Sequence, residues 1–145
     1  MRAGAAGPTL IDTSAWVELL RGTASPVDRA LGEALDSGQP LWITGVVLQE
    51  VLQGATSAAQ ADDLRRQLGG CVVVEPVFPE TYEHAATLFA RCRRAGRAVR
   101  GTVDCLVAAV AREHRLAVLG IDRDLLTLRD VCGIVLALPV TGSSP

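Results

Sequence analysis

A chain of 145 residues, 49% hydrophobic and 21% charged, has the composition of one globular domain with a core, not of a disordered segment. All 14 basic residues are Arg, and the lack of Lys excludes P-loop, Schiff-base and lysine-assisted phosphatase chemistry. The net charge of −2 gives no global field to recruit nucleic acid, so any such affinity must be local.

No apolar run approaches the roughly 20 residues of a membrane span, and the opening MRAGAAGP lacks the apolar centre of a signal peptide. We expect a tail over residues 1–8, one domain over 9–138 and a second tail over 139–145, in a cytoplasmic protein with no membrane association. Thr9 to Asp12 reads as a short strand that enters a helix from about Ser14 to Arg21. Pro26 opens a second helix to about Ser37, with Pro at the favoured first position. Leu41 to Ile43 is a strand, and Thr44 caps a helix that ends near Gly54. Ser57 caps the next helix, to Leu68, and Gly69-Gly70 stops it. Cys71 to Val74 is a continuous apolar run, expected of a buried strand. Pro79 starts a long helix to about Ala95, and Thr102 caps another to Arg115. Ala117 to Gly120 is a strand, and Ile134 to Ala137 is expected to be the last. Short apolar strands alternating with helices imply a three-layer α/β/α domain around a mostly parallel sheet.

Cys71, Cys92, Cys105 and Cys132 form no CxxC pair, and free, mostly buried thiols are the simplest expectation. His84 and His114 are far apart with no metal-ligand spacing, and read as ordinary helix residues.

Four of the 16 acidic residues interrupt apolar contexts. Asp12 ends the first strand, where an Asp commonly serves as a helix N-cap. Glu50 lies on the shoulder of the apolar face formed by Val47, Leu48, Val51 and Leu52. Asp104 is the strongest signal, because everything else from Val103 to Ala111 is apolar. The helix dipole explains why a first turn tolerates Asp, but not why a buried helix carries one. Asp122 follows the strand AVLGI, with Asp124 as its near rival; one of the two would cap the helix that follows.

In a parallel α/β sheet, helices begin at the carboxyl edge of the strands and ligands bind outside that edge. Asp12 and Asp122 end strands there, Asp104 is in a first turn, and Glu50 is about 9 Å along its helix. Clustered carboxylates repel unless a cation neutralises them. Oxygen ligands without His or Cys suit Mg²⁺ or Mn²⁺ rather than zinc. Such an ion activates water and stabilises displacement at a phosphodiester.

The segments LIDTSAWVELLRG and RGTVDCLVAAVAREHRLAVLGIDRDL, with Glu50 between them, resemble the PIN domain. Within it they resemble the VapC toxins of bacterial toxin–antitoxin pairs. The resemblance runs from about Thr9 to Leu138. It implies Asp12, Glu50, Asp104 and Asp122 as the acidic set, Ser14 and Thr102 as adjoining hydroxyls, and a Mg²⁺- or Mn²⁺-dependent endoribonuclease. It also implies an RNA substrate and a VapB-like antitoxin, and we expect a homodimer. The family usually places an aromatic after its D-x-D, whereas Leu125 follows Asp124 here; the choice between Asp122 and Asp124 stays open.

Three rival readings compete with this one. A catalytically dead PIN-like binding module would be expected to lack one acid, and none is missing. A haloacid-dehalogenase-like phosphatase needs an Asp where Ser14 stands and a Lys the chain does not have. A PIN nuclease outside any toxin pair, acting in RNA processing or on DNA, is the most serious alternative.

Two surfaces complete the reading. Most of the apolar side chains of the first two helices are expected to be core, but Trp16 and Leu20 on the first, with Leu31 and Leu35 on the second, also read as a groove open to an antitoxin peptide, with Trp16 as its anchor. Arg91, Arg93, Arg94, Arg97 and Arg100 form the densest basic segment, leading into Thr102 and Asp104. Arg94, Arg97 and Arg100 are expected to hold RNA phosphates.

Overall fold

The first strand is the pivot of the structure, a computed structural model that describes residues 8–138. Strand β1 (Thr9–Ile11) is wholly buried and pairs in parallel with β2 (Trp42–Ile43) on one side and β4 (Ala117–Leu119) on the other. Strand β3 (Val72–Val73) adds to β2, giving the order β3-β2-β1-β4 with every pairing parallel. The expected tails over residues 1–7 and 139–145 lie outside the described residues, and Pro8 is exposed.

Between the strands run α1 (Thr13–Arg21), α2 (Pro26–Ser37), α3 (Gly45–Gln53), α4 (Ala58–Gly69), α5 (Glu80–Arg94) and α6 (Thr102–His114), and α7 (Arg123–Cys132) follows β4. From β1 to β3 the chain steps in one direction, and from β3 to β4 it returns past β1. Right-handed crossovers therefore put α1–α4 on one face and α5–α6 on the other. The contacts agree: α1 packs on α2 and α3, and α5 packs on α6 and α7. The result is the expected α/β/α layering. Leu10, Ile11, Trp16, Leu88, Val107 and Leu128 are among the fully buried side chains that fill both interfaces.

Several local expectations change. The run Cys71–Val74 is not a buried strand: β3 is the sheet edge, with Val72 39% and Val73 58% exposed. A continuous apolar run cannot tell a central strand from an edge one, because what differs is the number of neighbours. The expected last strand is a single parallel bridge, Val118 to Leu136, held by Val118 N–H to Val135 O and Ala137 N–H to Val118 O, both 2.8 Å.

Two caps also differ. Thr44 precedes α3, but its hydroxyl makes no cap bond; Glu75, from the β3–α5 loop, accepts the Gly45 N–H at 3.0 Å instead. At α6 the N-cap is Gly101, and Thr102 is the first helical residue. Ser25 and Ser57 do cap α2 and α4 through their hydroxyls.

The four cysteines are free; Cys92, Cys105 and Cys132 are buried, and Cys71 is half-buried. Burial pushes the Cys92 thiol up to about 11, which leaves it protonated and a poor ligand or nucleophile. His84 is structural: its Nδ1 lies 2.8 Å from Glu113 Oε2, and Thr81 Oγ1 donates to Glu113 Oε1 at 2.7 Å, tying α5 to α6. His114 is exposed at the end of α6. Among the described residues, no helix is long and apolar enough to cross a membrane.

Candidate metal centre

The strand order reverses at β1, so the crevice where a ligand binds in such sheets opens at the carboxyl ends of β1 and β4. The chain leaves β1 through Asp12, whose N–H still donates to Leu119 O of β4 at 2.9 Å. Asp12 is 2% exposed and caps α1: its Oδ2 accepts the Ser14 N–H at 3.0 Å and the Ser14 hydroxyl at 2.6 Å. The Ser14 oxygen in turn accepts the Ile121 N–H at 2.9 Å. One hydroxyl thus ties the first acid to the segment that carries the last. Gly120 makes that approach possible, since a Cβ there would sit 2.9 Å from Ser14 Oγ and 3.0 Å from the Asp12 Cβ.

Glu50 reaches the same place from α3, half-buried, with its Oε1 accepting the Thr13 hydroxyl at 2.6 Å. Nothing in the sequence singles out Thr13, where it is simply the residue after Asp12. Asp104 enters from the first turn of α6. Asp122 caps α7, its Oδ1 accepting the Asp124 N–H at 2.8 Å. Asp124 also anchors a neighbouring turn: its Oδ2 accepts the N–H groups of Arg100 at 2.9 Å and Gly101 at 3.2 Å.

Asp12, Glu50, Asp104 and Asp122 line one open cavity of about 460 Å³, together with Thr13, Ser14 and Thr102. Thr102 is exposed on the rim and makes no cap bond to α6. Glu18 also lines the cavity, with its carboxylate accepting the Thr23 hydroxyl at 2.6 Å. One carboxylate oxygen each from Asp104, Asp122 and Asp124 lies within 4.8 Å of the others. Asp12 and Glu50 stand outside that tight trio. Among the described residues, none of these acids is paired with an arginine.

The electrostatics follow from that geometry. Burial raises Asp104 to about 8, and the charges of Asp12, Asp122, Asp124 and Glu50 add to it. Burial likewise lifts Asp12 above the usual carboxylate range, against the Ser14 hydrogen bonds and with help from Asp122 and Glu50. The donors are all hard oxygens with a surplus of negative charge, which fits a Mg²⁺- or Mn²⁺-type cation and not a thiolate- or imidazole-seeking one.

The basic segment is less uniform than its sequence. Arg97 is committed: it donates to Asp130 Oδ2 at 2.9 Å and to Thr127 Oγ1 at 3.3 Å, bracing the loop before α6 against α7. Its guanidinium is a structural clamp rather than a free phosphate contact. Arg93 lies over the Phe89 ring, 5.4 Å from its centroid. Arg91, Arg94 and Arg100 are exposed and without an ion pair among the described residues.

The expected apolar groove on α1 and α2 is also revised. Trp16 and Leu31 are completely buried in the core and present nothing to a partner. Their helical spacing is that of a core face, and α1 packing on α2 closes it. Leu20, 36% exposed, and the half-buried Leu35 keep some accessible surface.

Fold and site together define a parallel α/β domain whose carboxyl edge gathers acids from four segments into an unneutralised pocket. The PIN domain profile matches residues 9–131, and the chain belongs to the PIN domain family. It is similar to ribonuclease VapC11 of Mycobacterium tuberculosis, 34% identical over 119 residues that cover 79% of this chain and 87% of that one. A VapC ribonuclease of Mycobacterium bovis matches over the same 119 residues at the same 34%. Among solved structures, a toxin–antitoxin complex from Klebsiella pneumoniae superposes with a TM-score of 0.66 at 22% identity, covering 91% of this chain and 99% of that one. VapC20 of M. tuberculosis, described as a sarcin-ricin loop cleaving toxin, gives 0.65 at 19%, covering 90% and 99%.

Proposed function

We propose that the chain is a divalent-metal-dependent endoribonuclease, the toxin of a toxin–antitoxin pair, acting in the cytoplasm. The observation that carries this is the convergence of Asp12, Glu50, Asp104 and Asp122 on one open cavity, with none of them ion-paired to an arginine among the described residues. Such a grouping is unfavourable in itself and makes chemical sense as a cation site. Relatives named as VapC ribonucleases support the substrate class.

Asp104 and Asp122 are the proposed principal ligands, with the four-acid set completing the site. A bound Mg²⁺ or Mn²⁺ supplies an activated water and stabilises charge on the phosphodiester undergoing displacement. Ser14 and Thr13 hold Asp12 and Glu50 by one carboxylate oxygen each, leaving Asp12 Oδ1 and Glu50 Oε2 to orient the attacking water or accept its proton. Arg94 and Arg100 are the proposed phosphate contacts, and with few aromatics the substrate is recognised mainly by shape at accessible single-stranded loops.

A VapB-like antitoxin is the proposed protein partner, with Leu20 and Leu35 in reach of it. A second copy of the chain is the proposed partner of the exposed apolar side chains Phe78 and Tyr82, which are 83% and 48% exposed with their ring centroids 6.3 Å apart. The test is to map cleavage sites across total RNA after induction of the chain, with Asp104→Asn as control. Discrete new ends that vanish in the control support the reading; identical RNA in both contradicts it.

A further inference from the structure

Helix α6 brings Asp104 into the site, yet it starts without a side-chain cap of its own, Gly101 having none to give. The N–H groups just ahead of it are instead taken by Asp124, whose Oδ2 accepts from Arg100 at 2.9 Å and from Gly101 at 3.2 Å across 24 and 23 residues of chain. The turn so held touches the third acid: a Cβ on Gly101 would lie 3.0 Å from Asp104 Oδ2. On its other side, Asp124 is fixed by Asp122, which caps α7 through the Asp124 N–H at 2.8 Å. Asp122, Asp124, the 100–101 turn and Asp104 therefore form one chain of contacts between the starts of the two helices that flank β4 in the chain.

We propose that Asp124 is a positioning residue, which docks the entrance of α6 onto the first turn of α7 and so sets the spacing of Asp104 from Asp122. Its role lies in hydrogen-bond acceptance and not chiefly in its charge. One side-chain oxygen receives both N–H groups, so an amide in place of the carboxylate keeps the acceptor and loses the charge. Losing the acceptor leaves two N–H groups at a helix start without a partner and frees the turn. This inference rests on the proposed metal site, and part of its test reads the clamp without any cleavage.

The experiment compares the full-length chain with Asp124→Ala, Asp124→Asn and Gly101→Ala. Amide hydrogen exchange is followed at Arg100 and Gly101, Mn²⁺ affinity by electron paramagnetic resonance, and RNA cleavage in parallel. We expect Asp124→Ala to speed exchange at both amides by about tenfold or more, with a matching loss of Mn²⁺ affinity. Asp124→Asn should restore protection of both amides and most of the affinity and cleavage lost in the Ala variant. Gly101→Ala, whose backbone at φ −99° accepts a side chain, should weaken Mn²⁺ binding by crowding Asp104 while Arg100 stays protected. If Asp124→Asn keeps its amides protected but binds Mn²⁺ as poorly as Asp124→Ala, Asp124 acts through its charge and the positioning role is overturned. Unchanged exchange in Asp124→Ala overturns it as well. A wild type that neither binds Mn²⁺ nor cleaves RNA refutes the proposed function instead, and the exchange result still decides whether the clamp exists.

Discussion

The Thr13 hydroxyl donates to Glu50 Oε1 at 2.6 Å, linking the first residue of α1 to the sixth of α3 across 37 residues of sequence. It is the one side-chain bond holding Glu50 among the described residues, so Thr13 decides which way the second acid faces. A hydrogen bond to a charged group contributes about 1.5–3 kcal/mol. If that orientation matters only at the reacting centre, Thr13→Val should slow single-turnover cleavage by roughly 10- to 100-fold. Thr13→Ser should stay near wild type. Equal rates for all three would show that Glu50 needs no such hold.

Asp104→Asn keeps the shape of the acid and stands in for its protonated form. Cleavage should be abolished. At neutral pH the metal-free protein should melt higher, because it no longer has to take up a proton on folding, by about 2–4 °C for each kcal/mol of that cost. Calorimetry in EDTA checks this. A lower melting temperature would mean that Asp104 contributes more to the fold through local contacts than its burial costs.

The pH dependence of the metal-free protein has a definite sign. Folded Asp104 holds its proton up to about pH 8, whereas in the unfolded chain it titrates near 3.8. Between those limits the folded state binds more protons, so this group's contribution to stability falls as pH rises. Asp12, also raised, acts in the same direction. Glu113 and Asp130 are lowered, and their contributions change only below the usual carboxylate range. Metal-free melting temperature should therefore decline from about pH 5 to about pH 8, and Asp104→Asn should flatten the decline. A melting temperature that climbs across that interval would contradict the electrostatic picture of the site.

The arginines divide into two kinds with different signatures. Arg94→Glu with Arg100→Glu should weaken RNA binding and reduce the salt slope by about 0.7 for each single-strand phosphate that is no longer neutralised, without moving the cleavage site. Arg97→Ala should leave that slope alone and lower the melting temperature, because it cuts the tie from Arg97 to Asp130 and Thr127. A salt titration and a thermal melt on each variant separate the two.

Much of this molecule could be read from its residues because hydrophobic period and caps are local. Helix α2 runs from Pro26 to Ser37 as the sequence suggests, and Asp12 and Asp122 sit where strands of a parallel sheet deliver their ends. The misreadings share a different origin. Whether Val73 is covered, whether Trp16 faces a partner or the core, and whether Arg97 is free all depend on what lies across the molecule. The Asp122–Asp124 ambiguity is of the same kind. Only the fold shows one carboxylate capping its own helix and the other reaching back to the 100–101 turn. Thr13 carries no sequence signal because its partner is 37 positions away.

If these acids hold a divalent cation on which RNA cleavage depends, metal binding and activity must share one titration. A Mn²⁺ titration of the EDTA-stripped protein, followed by electron paramagnetic resonance, reads the first, and cleavage of a structured RNA in the same samples reads the second. Bound Mn²⁺ and cleavage should rise together in the wild type, and Asp104→Asn should show neither. Full cleavage in EDTA, or tight Mn²⁺ binding by the Asp104→Asn variant, would contradict a metal-dependent site built on these four acids.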